Sequence, residues 1–596
     1  MIRRPLRPLA RVLWARDKGL DPDAEEAARR ARALNRQRVE ERRRAEWRLM
    51  LLGVTFVFAF GAVAGQMALL AATEPAEPRI ARAAVPLTTT RADIVDRNGL
   101  VLATNLVTSS LYAEIPHLVD ARAAADGLAG IFPELDAERV YRQMTDGRSF
   151  MWLRRAISPE QRQAVHDLGE PGLRFGTRQM RLYPNGARAA HILGGVSFGA
   201  QDVHTTEIVG RAGIERALDA RLRDPARAGE ALRLSIDLRV QNALRDVLAD
   251  AMERFTAAGA TGVLMRADTG EVVALVSLPD FDPNDRPGPV DEGARSPRFN
   301  QAAQGTYELG STYKLFTAAM ALERQVAGPE TMIDTRGPMR WGRFLIRDFR
   351  DYGPELSLTD VIVKSSNIGT AHLALTMGAE AQQAFLGELG LLAPTGIELS
   401  EAAGGVPLTP ANWSEISTIT ISYGHGITAT PLHLAASYAS ILNGGLRVTP
   451  TLLAGATPPG EEARVVSPET SRQLRSMLRQ VVTRGTASFA DVPGYEVGGK
   501  TGTADKPRAA GGGYYDDRVI ATFAGIFPAS DPDYVLVVTL DEPTDRSGRE
   551  PRRTAGWTAV PAAAEAIRRV APLLGMRPNP VRAATRQISG VEIRGE

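Results

Sequence analysis

The sequence predicts an α+β protein. An antiparallel sheet of about five strands is covered by helices, and an irregular mixed pedestal and one N-terminal transmembrane helix precede it. Three observations carry this prediction. The first is an uncharged run of 24 residues, Leu49 to Ala72. The second is a pair of strand–turn–strand patterns far apart in the chain, TGVLMRADTGEVVALVS and VIATFAGIFPASDPDYVLVVTL. The third is the set of helical stretches lying between them. Two hairpins and one lone strand with helices in between make an antiparallel sheet, not a series of parallel crossovers.

Composition sets the outer bounds. A chain of 596 residues has room for roughly three to four domains of about 150 residues. Apolar residues at 44% and charged residues at 23% are ordinary globular usage, which excludes a disordered, collagenous or coiled-coil protein. There is no cysteine, so thiol nucleophiles, disulfides and cysteine-ligated metals are excluded. The histidines at 117, 166, 191, 204, 372, 425 and 433 are scattered and none forms a metal-ligand spacing. No metal and no cofactor is expected.

The elements follow in order. Residues 1–48 form a basic tail with 15 Lys/Arg against 8 Asp/Glu, leaving 56 basic and 61 acidic residues for the rest. A basic tail on a mildly acidic body argues against nucleic-acid binding. Residues 21–48 read as a charged, solvated helix. Residues 49–72 are the transmembrane helix, about 36 Å long at ~1.5 Å per residue and enough for a ~30 Å hydrocarbon core. Trp47 and Arg48 suit the interface, and Arg42, Arg43 and Arg44 put the N-terminus in the cytoplasm and the body outside. A cleaved signal peptide would have a shorter lead and a shorter apolar run.

Residues 73–90 are a Pro/Ala/Thr-bearing linker. Residues 91–235 are the pedestal, with turns at Asn98-Gly99, Pro184-Asn185-Gly186 and Gly194-Gly195. Residues 236–575 are the helix-covered sheet domain. Leu244, Leu248, Met252 and Phe255 mark one face of its first helix. A tight turn at Asp268-Thr269-Gly270 joins its first two strands, and a lone strand runs from about Tyr495 to Thr501. Residues 576–596 are a polar mobile tail.

Three short motifs carry chemistry. Gly310-Ser311-Thr312-Tyr313-Lys314 opens the helical run KLFTAAMALERQ. A serine at a helix N-terminus lies near unpaired N–H groups and the positive dipole end. A lysine three residues on shares its face. If that lysine is buried beside another cation, its pKa falls from ~10.4 toward neutrality and it can take the serine's proton. Ser365 and Asn367 form S-x-N, a hydroxyl and an amide suited to relaying a proton and holding a substrate amide. Lys500-Thr501-Gly502-Thr503 ends the lone strand. Its cation and hydroxyls suit a carboxylate, and its glycine lets a substrate backbone lie close. Each motif is weak alone. In this order they resemble the S-x-x-K, S-D-N and K-T-G set of serine β-lactamases and penicillin-binding proteins, with S-S-N as the middle motif here.

The chain closely resembles class B penicillin-binding proteins, the membrane-anchored transpeptidases that cross-link peptidoglycan, over nearly all of residues 48–575. RADIVDRNG at 91–99 is similar to the family's opening motif, with Ala92 for the usual Gly. RLYPNGARAAHILGGV and GRAGIERALD resemble further pieces of its pedestal, of the dimerisation type. LPDFDPN, NQAAQGTYELGSTYK and ITATPLHLA resemble its transpeptidase domain. Leu309 stands where many relatives have Pro. The resemblance implies that Ser311 is the nucleophile, attacking the carbonyl of the penultimate D-Ala of a stem peptide ending in D-Ala-D-Ala, with Lys314 as its general base. It implies that Ser365 and Asn367 assist proton transfer and donor binding. Lys500, Thr501 and Thr503 bind the terminal carboxylate, beside Gly502. The backbone N–H groups of Ser311 and Thr503 form the oxyanion hole. β-Lactam antibiotics are expected to acylate Ser311.

Rival readings fail on context. GYEVGGKT at 494–501 fits the phosphate-loop pattern, but that loop needs a strand before it and a helix after it, and GTADKPRAAGGGYY cannot start a helix. A membrane β-lactam sensor would need an output domain that the tail lacks. A β-lactamase would need a shorter domain and a deacylating glutamate. A bifunctional synthase would need a glycosyltransferase domain where only an 18-residue linker stands. The compact pedestal, the segment FAGIFPASDPDYVLVVTLDEP and the length look more like the division type than the elongation type. That type implies a place at the septum of the inner membrane, with a membrane glycosyltransferase of the shape/division family and other divisome proteins as partners.

Overall fold

A computed structural model of the chain describes residues 9–19, 21–72, 91–201, 206–288, 295–508 and 512–579. The expected linker 73–90 lies outside the described residues, as do residues 580–596 of the expected C-terminal tail. The chain divides into two compact units, 1–86 and 87–596.

The first unit is two helices. A short one spans Leu9–Asp17 and a 51-residue one spans Pro22–Ala72. The charged stretch and the apolar run are therefore a single continuous helix. Within it, Trp47–Met67 has a mean hydropathy of 1.9 and is not buried against protein. That length and hydropathy are compatible with a membrane anchor.

The second unit begins with the pedestal. Strand β1 (Ile94–Val95) pairs with β2 (Val101–Glu114), which pairs in turn with β3 (Phe150–Ile157) and β4 (Leu173–Leu182). Strands β5 (Gly195–Gln201) and β6 (Thr206–Ala212) form a separate hairpin. Strand β7 (Leu232–Arg233) lies parallel to β1. Helices Ala121–Ile131, Ala137–Met144 and Pro159–Asp167 carry Leu128, Val140, Met144 and Val165 into a small core. There they meet Leu111 and Ala113 of β2 and Met151 of β3.

The rest of the pedestal shares the main core. Ile94, Leu102, Ile192, Ile214 and Leu234 are buried in the same cluster as Leu244 and Val263. The core therefore runs without a break across the boundary expected at residue 236. The opening motif makes that junction. Asp96 accepts hydrogen bonds from the backbone N–H of Asn98 and Leu100 at 2.8 Å, and from that of Leu238 at 3.1 Å. Arg97 donates to Glu271 at 2.9 Å. Arg91 is buried against Glu215 and Asp219, and Arg181 reaches the other Glu215 oxygen at 2.7 Å.

Helix Leu238–Arg254 is capped by Asp237 and buries Leu244, Val247, Leu248 and Ala251, with Phe255 just beyond it. Met252, expected on this face, is only partly buried at its rim. The central sheet has β8 (Gly259–Arg266) and β9 (Val272–Leu278) at one side. Two small antiparallel pairs lie off this sheet, β10 (Met332–Asp334) with β13 (Glu355–Ser357) and β11 (Met339–Trp341) with β12 (Phe344–Ile346). The sheet continues with β14 (Gly498–Pro507), β15 (Tyr514–Phe527) and β16 (Tyr534–Asp541). The order β14-β15-β16-β8-β9 is antiparallel throughout.

Five antiparallel strands under helices is the architecture expected from the sequence. One boundary differs. The lone strand begins later than Tyr495 and runs through the K-T-G motif to Pro507, because its backbone pairs with β15 from Gly498 to Asp505. The candidate phosphate loop is thus sheet-edge strand with no helix after it.

Candidate active site

The helix Lys314–Glu323 is buried from Lys314 to Leu322. A helix apolar on every side belongs in a core, and the run LFTAAMAL makes this one the centre of the domain. A single 3-10 turn, Gly310–Tyr313, leads into it. Ser311 therefore sits on that turn, partly exposed, and Lys314 is the first residue of the α-helix, fully buried. The turn is held from below by the Tyr438 hydroxyl, which donates to the Thr312 carbonyl at 2.8 Å.

Strand β14 lies directly against this turn. A methyl group on Gly502 would stand 2.3 Å from the Leu309 carbonyl oxygen, and one on Gly310 would stand 2.8 Å from that of Thr503. The K-T-G glycine is thus required by the approach of the protein's own backbone. The contact brings the Ser311 turn and the Thr503 backbone side by side, as two oxyanion-hole donors need.

Ser365 ends the helix Leu358–Lys364 in the left-handed region, at φ 65° and ψ 46°. A non-glycine residue held there costs about 1–3 kcal/mol. The kink puts both its polar groups on the lysines. Lys314 Nζ donates to the Ser365 carbonyl and, at 3.1 Å, to its Oγ. Lys500 Nζ donates to the same Oγ at 2.9 Å and to the Thr501 carbonyl at 3.1 Å. One hydroxyl therefore bridges two buried lysine amines. Burial pushes the Lys314 amine well below its ordinary value, the charge of Lys500 pushes it further, and Asp348 opposes both. Burial lowers Lys500 from 10.5 to about 7. One cation can persist in this pair, and the other lysine is then the neutral base that S-x-x-K chemistry requires.

The remaining predicted residues are placed as follows. Ser366, which was not among them, lies between the two S-x-N residues, caps the helix Asn367–Met377 and donates to Asp348 at 2.6 Å. The Asn367 amide donates to the Arg347 carbonyl at 2.8 Å, and its backbone N–H donates to Asp348. The sequence set Lys500, Thr501 and Thr503 on one carboxylate. Strand alternation separates them. Lys500 is completely buried on Ser365, while Thr501 Oγ1 lies 2.8 Å from Thr486 Oγ1 and Thr503 Oγ1 accepts from the Ala555 N–H at 3.0 Å. Thr503 is partly exposed and Thr501 is buried, on the side of the strand away from the Lys500 amine.

Asp348, which the sequence reading missed, anchors the S-x-N turn. It sits in the loop after β12, and no periodicity or spacing marks it.

The chain matches the family described as penicillin binding protein transpeptidase domain over residues 260–561, and the penicillin-binding protein dimerisation domain over residues 86–228. It is 38% identical over 499 residues to the probable peptidoglycan D,D-transpeptidase FtsI of Caulobacter vibrioides, covering 82% of each chain. It is 30% identical over 527 residues to the peptidoglycan D,D-transpeptidase FtsI of Escherichia coli, covering 83% of this chain and 87% of that one. Among solved structures it is similar to penicillin-binding protein 3 of Mycobacterium tuberculosis in complex with aztreonam. There the TM-score is 0.61 and the identity 26%, over 82% of this chain and 97% of that one.

Proposed function

Because the chain belongs to the class B penicillin-binding proteins of the FtsI type, and is a serine-type peptidoglycan D,D-transpeptidase, we propose that it cross-links septal peptidoglycan through an acyl-enzyme on Ser311. The observation that carries the chemistry is the buried Lys314–Ser365–Lys500 cluster beside the Ser311 turn.

In the forward half-reaction, the neutral Lys314 amine takes the proton of Ser311 Oγ as that oxygen attacks the carbonyl of the penultimate D-Ala. The N–H groups of Ser311 and Thr503 receive the developing oxyanion. Ser365 passes a proton between the two lysines, and the proton from Ser311 reaches the leaving D-alanine nitrogen as the peptide bond breaks. The Thr501 and Thr503 hydroxyls receive the terminal carboxylate, and Asn367 faces the donor peptide. A β-lactam follows the same path and stays attached.

The N-terminal helix anchors the enzyme, with the tail in the cytoplasm and the catalytic unit on the far side of the membrane. The division role rests on the FtsI-type relatives and on the pedestal. A separate membrane glycosyltransferase supplies the strands, and the apolar helix is its contact surface within the bilayer. Peptide mapping after labelling of the full-length protein with a penicillin tests the site. The adduct is expected on Ser311, and an adduct on Ser365 or Ser366 refutes the assignment. Depletion tests the role. It should block septation while side-wall growth continues, and rounding with continued division would favour elongation instead.

A further inference from the structure

Acyl transfer needs a second proton movement. As the acceptor nitrogen bonds to the acyl carbon it becomes acidic, and a base within reach speeds the step. The cluster described above serves Ser311. A different titratable group lies on the loop packed against the nucleophile turn.

The loop after helix Glu415–Ser422 lies on the nucleophile turn. A methyl on Gly424 would stand 2.1 Å from the Gly310 carbonyl oxygen. The next residue is His425, partly buried, with its Nδ1 shut off from solvent and without a properly formed hydrogen bond. Its ring meets Tyr423 at 5.5 Å and Tyr514 at 6.5 Å, edge to face. The Tyr514 hydroxyl donates to both oxygens of Glu308, at 2.9 and 3.2 Å, and the Gly426 N–H donates to the same carboxylate at 2.9 Å. Glu308, three residues before Ser311, thus clasps the His425 loop and the start of β15 together.

The groups facing the imidazole come from several elements. Burial lowers its proton affinity most, Glu308, Asp505 and the Tyr423 backbone raise it, and Lys314 lowers it again, leaving the net below the ordinary 6.5. Burial holds both neighbouring phenols up, Tyr423 at about 12, so neither competes as a base at neutral pH. His425 is a neutral imidazole at pH 7, set against the nucleophile turn.

We propose that His425 is the general base for the acceptor amine in the transfer half-reaction, while Lys314 serves Ser311 in acylation. The inference rests on the transpeptidase reading. The acceptor nitrogen forms the new C–N bond at the acyl carbon and gives one proton to the imidazole. The C–Oγ bond to Ser311 breaks, and the proton passes from the imidazolium through the neutral Lys314 amine to the departing Oγ. Nothing is oxidised, and His425 ends neutral.

The test separates the two half-reactions in the full-length enzyme in detergent. A penicillin measures acylation alone. An N-acyl-D-alanyl thioester as donor with D-alanine as acceptor measures transfer, with rates referred to the neutral amine. His425→Gln keeps a polar side chain without a basic nitrogen. Acylation should stay within about threefold, which also reports an intact fold, while transfer falls about 100-fold or more. The part of the acid limb of the wild-type transfer profile that the acylation profile lacks should vanish in the variant. Transfer unchanged in His425→Gln overturns the proposal, and so does an equal loss of acylation and transfer. A wild-type enzyme that is acylated but never transfers to the amine overturns the transpeptidase reading itself, and this inference with it.

Discussion

Replacing Lys500 by Met should make the protein more stable below pH 7 and less stable near pH 10. Lys500 has an ordinary value of 10.5 when unfolded and about 7 when buried. Between those values the unfolded chain holds a proton that the folded chain has released, so stability rises with pH across that window. The cost is complete below pH 7 and gone above 10.5. At about 1.4 kcal/mol per pH unit, the buried lysine costs the fold about 5 kcal/mol in acid. Methionine fills a similar volume with an unbranched apolar chain. It forfeits the hydrogen bonds to Ser365 Oγ and the Thr501 carbonyl, together worth about 2 kcal/mol. The net is a gain of about 3 kcal/mol at pH 6 and a loss of about 2 kcal/mol at pH 10.5. Thermal unfolding of full-length wild type and variant at the two pH values reads this directly. The melting temperatures should cross. A variant that melts lower at both pH values would show that Lys500 is stabilised in place and refute the reasoning.

Lys314→Arg and Lys500→Arg each fix a charge that cannot be released, and both positions are fully buried. Penicillin acylation should fall about 100-fold or more in each, and activity surviving in Lys500→Arg alone would restore a direct carboxylate contact for that residue. Ser365→Ala removes the oxygen shared by both lysine amines; acylation should drop by a similar factor while the melting temperature at pH 7 falls only slightly. Glu215→Ala leaves Arg181 and Arg91 buried with a lost partner and should cost about 3–5 kcal/mol. Acylation per folded molecule should hold, so a drop in acylation with an unchanged melting temperature would contradict this structural role.

What was legible in the sequence was what is local. Short apolar runs on either side of a tight turn marked β8–β9 and β15–β16, since a hairpin's signal lies within its own residues. The uncharged run marked the membrane helix for the same reason. Strand β14 was misjudged because GKTGTADKP has almost no apolar alternation. It is a strand through its pairing with β15, which is a tertiary fact. The reactive groups were legible as motifs, but their division of labour was not. That Lys500 turns inward to Ser365, and the two threonines the other way, follows from the phase of a strand whose start was misplaced. Asp348 and Glu308 were invisible because each acts across a contact between segments distant in sequence. His425 was counted only as a scattered histidine, since nothing in the chain order shows that its loop lies on Gly310.

The opening motif explains why a pedestal far from the chemistry is built into the enzyme rather than tethered to it. Three of its four charged residues work on different structures. Arg91 is locked to Glu215 and Asp219 within the pedestal. Asp96 closes its own turn and reaches the first N–H of helix Leu238–Arg254, while Arg97 reaches Glu271 just before β9. Glu271 in turn accepts from the N–H groups of Gly455 and Ala456. Nine residues thus join the pedestal to the first helix and to one edge of the sheet whose other edge is β14. Strand β2 runs from Leu102 in this shared core to Leu111 in the small outer core, paired to β4 through Ala113. Buried charges that lose a partner are costly, so Arg91 fixes the start of the motif within the pedestal, while Asp96 and Arg97 fix its end to the first helix and the sheet edge.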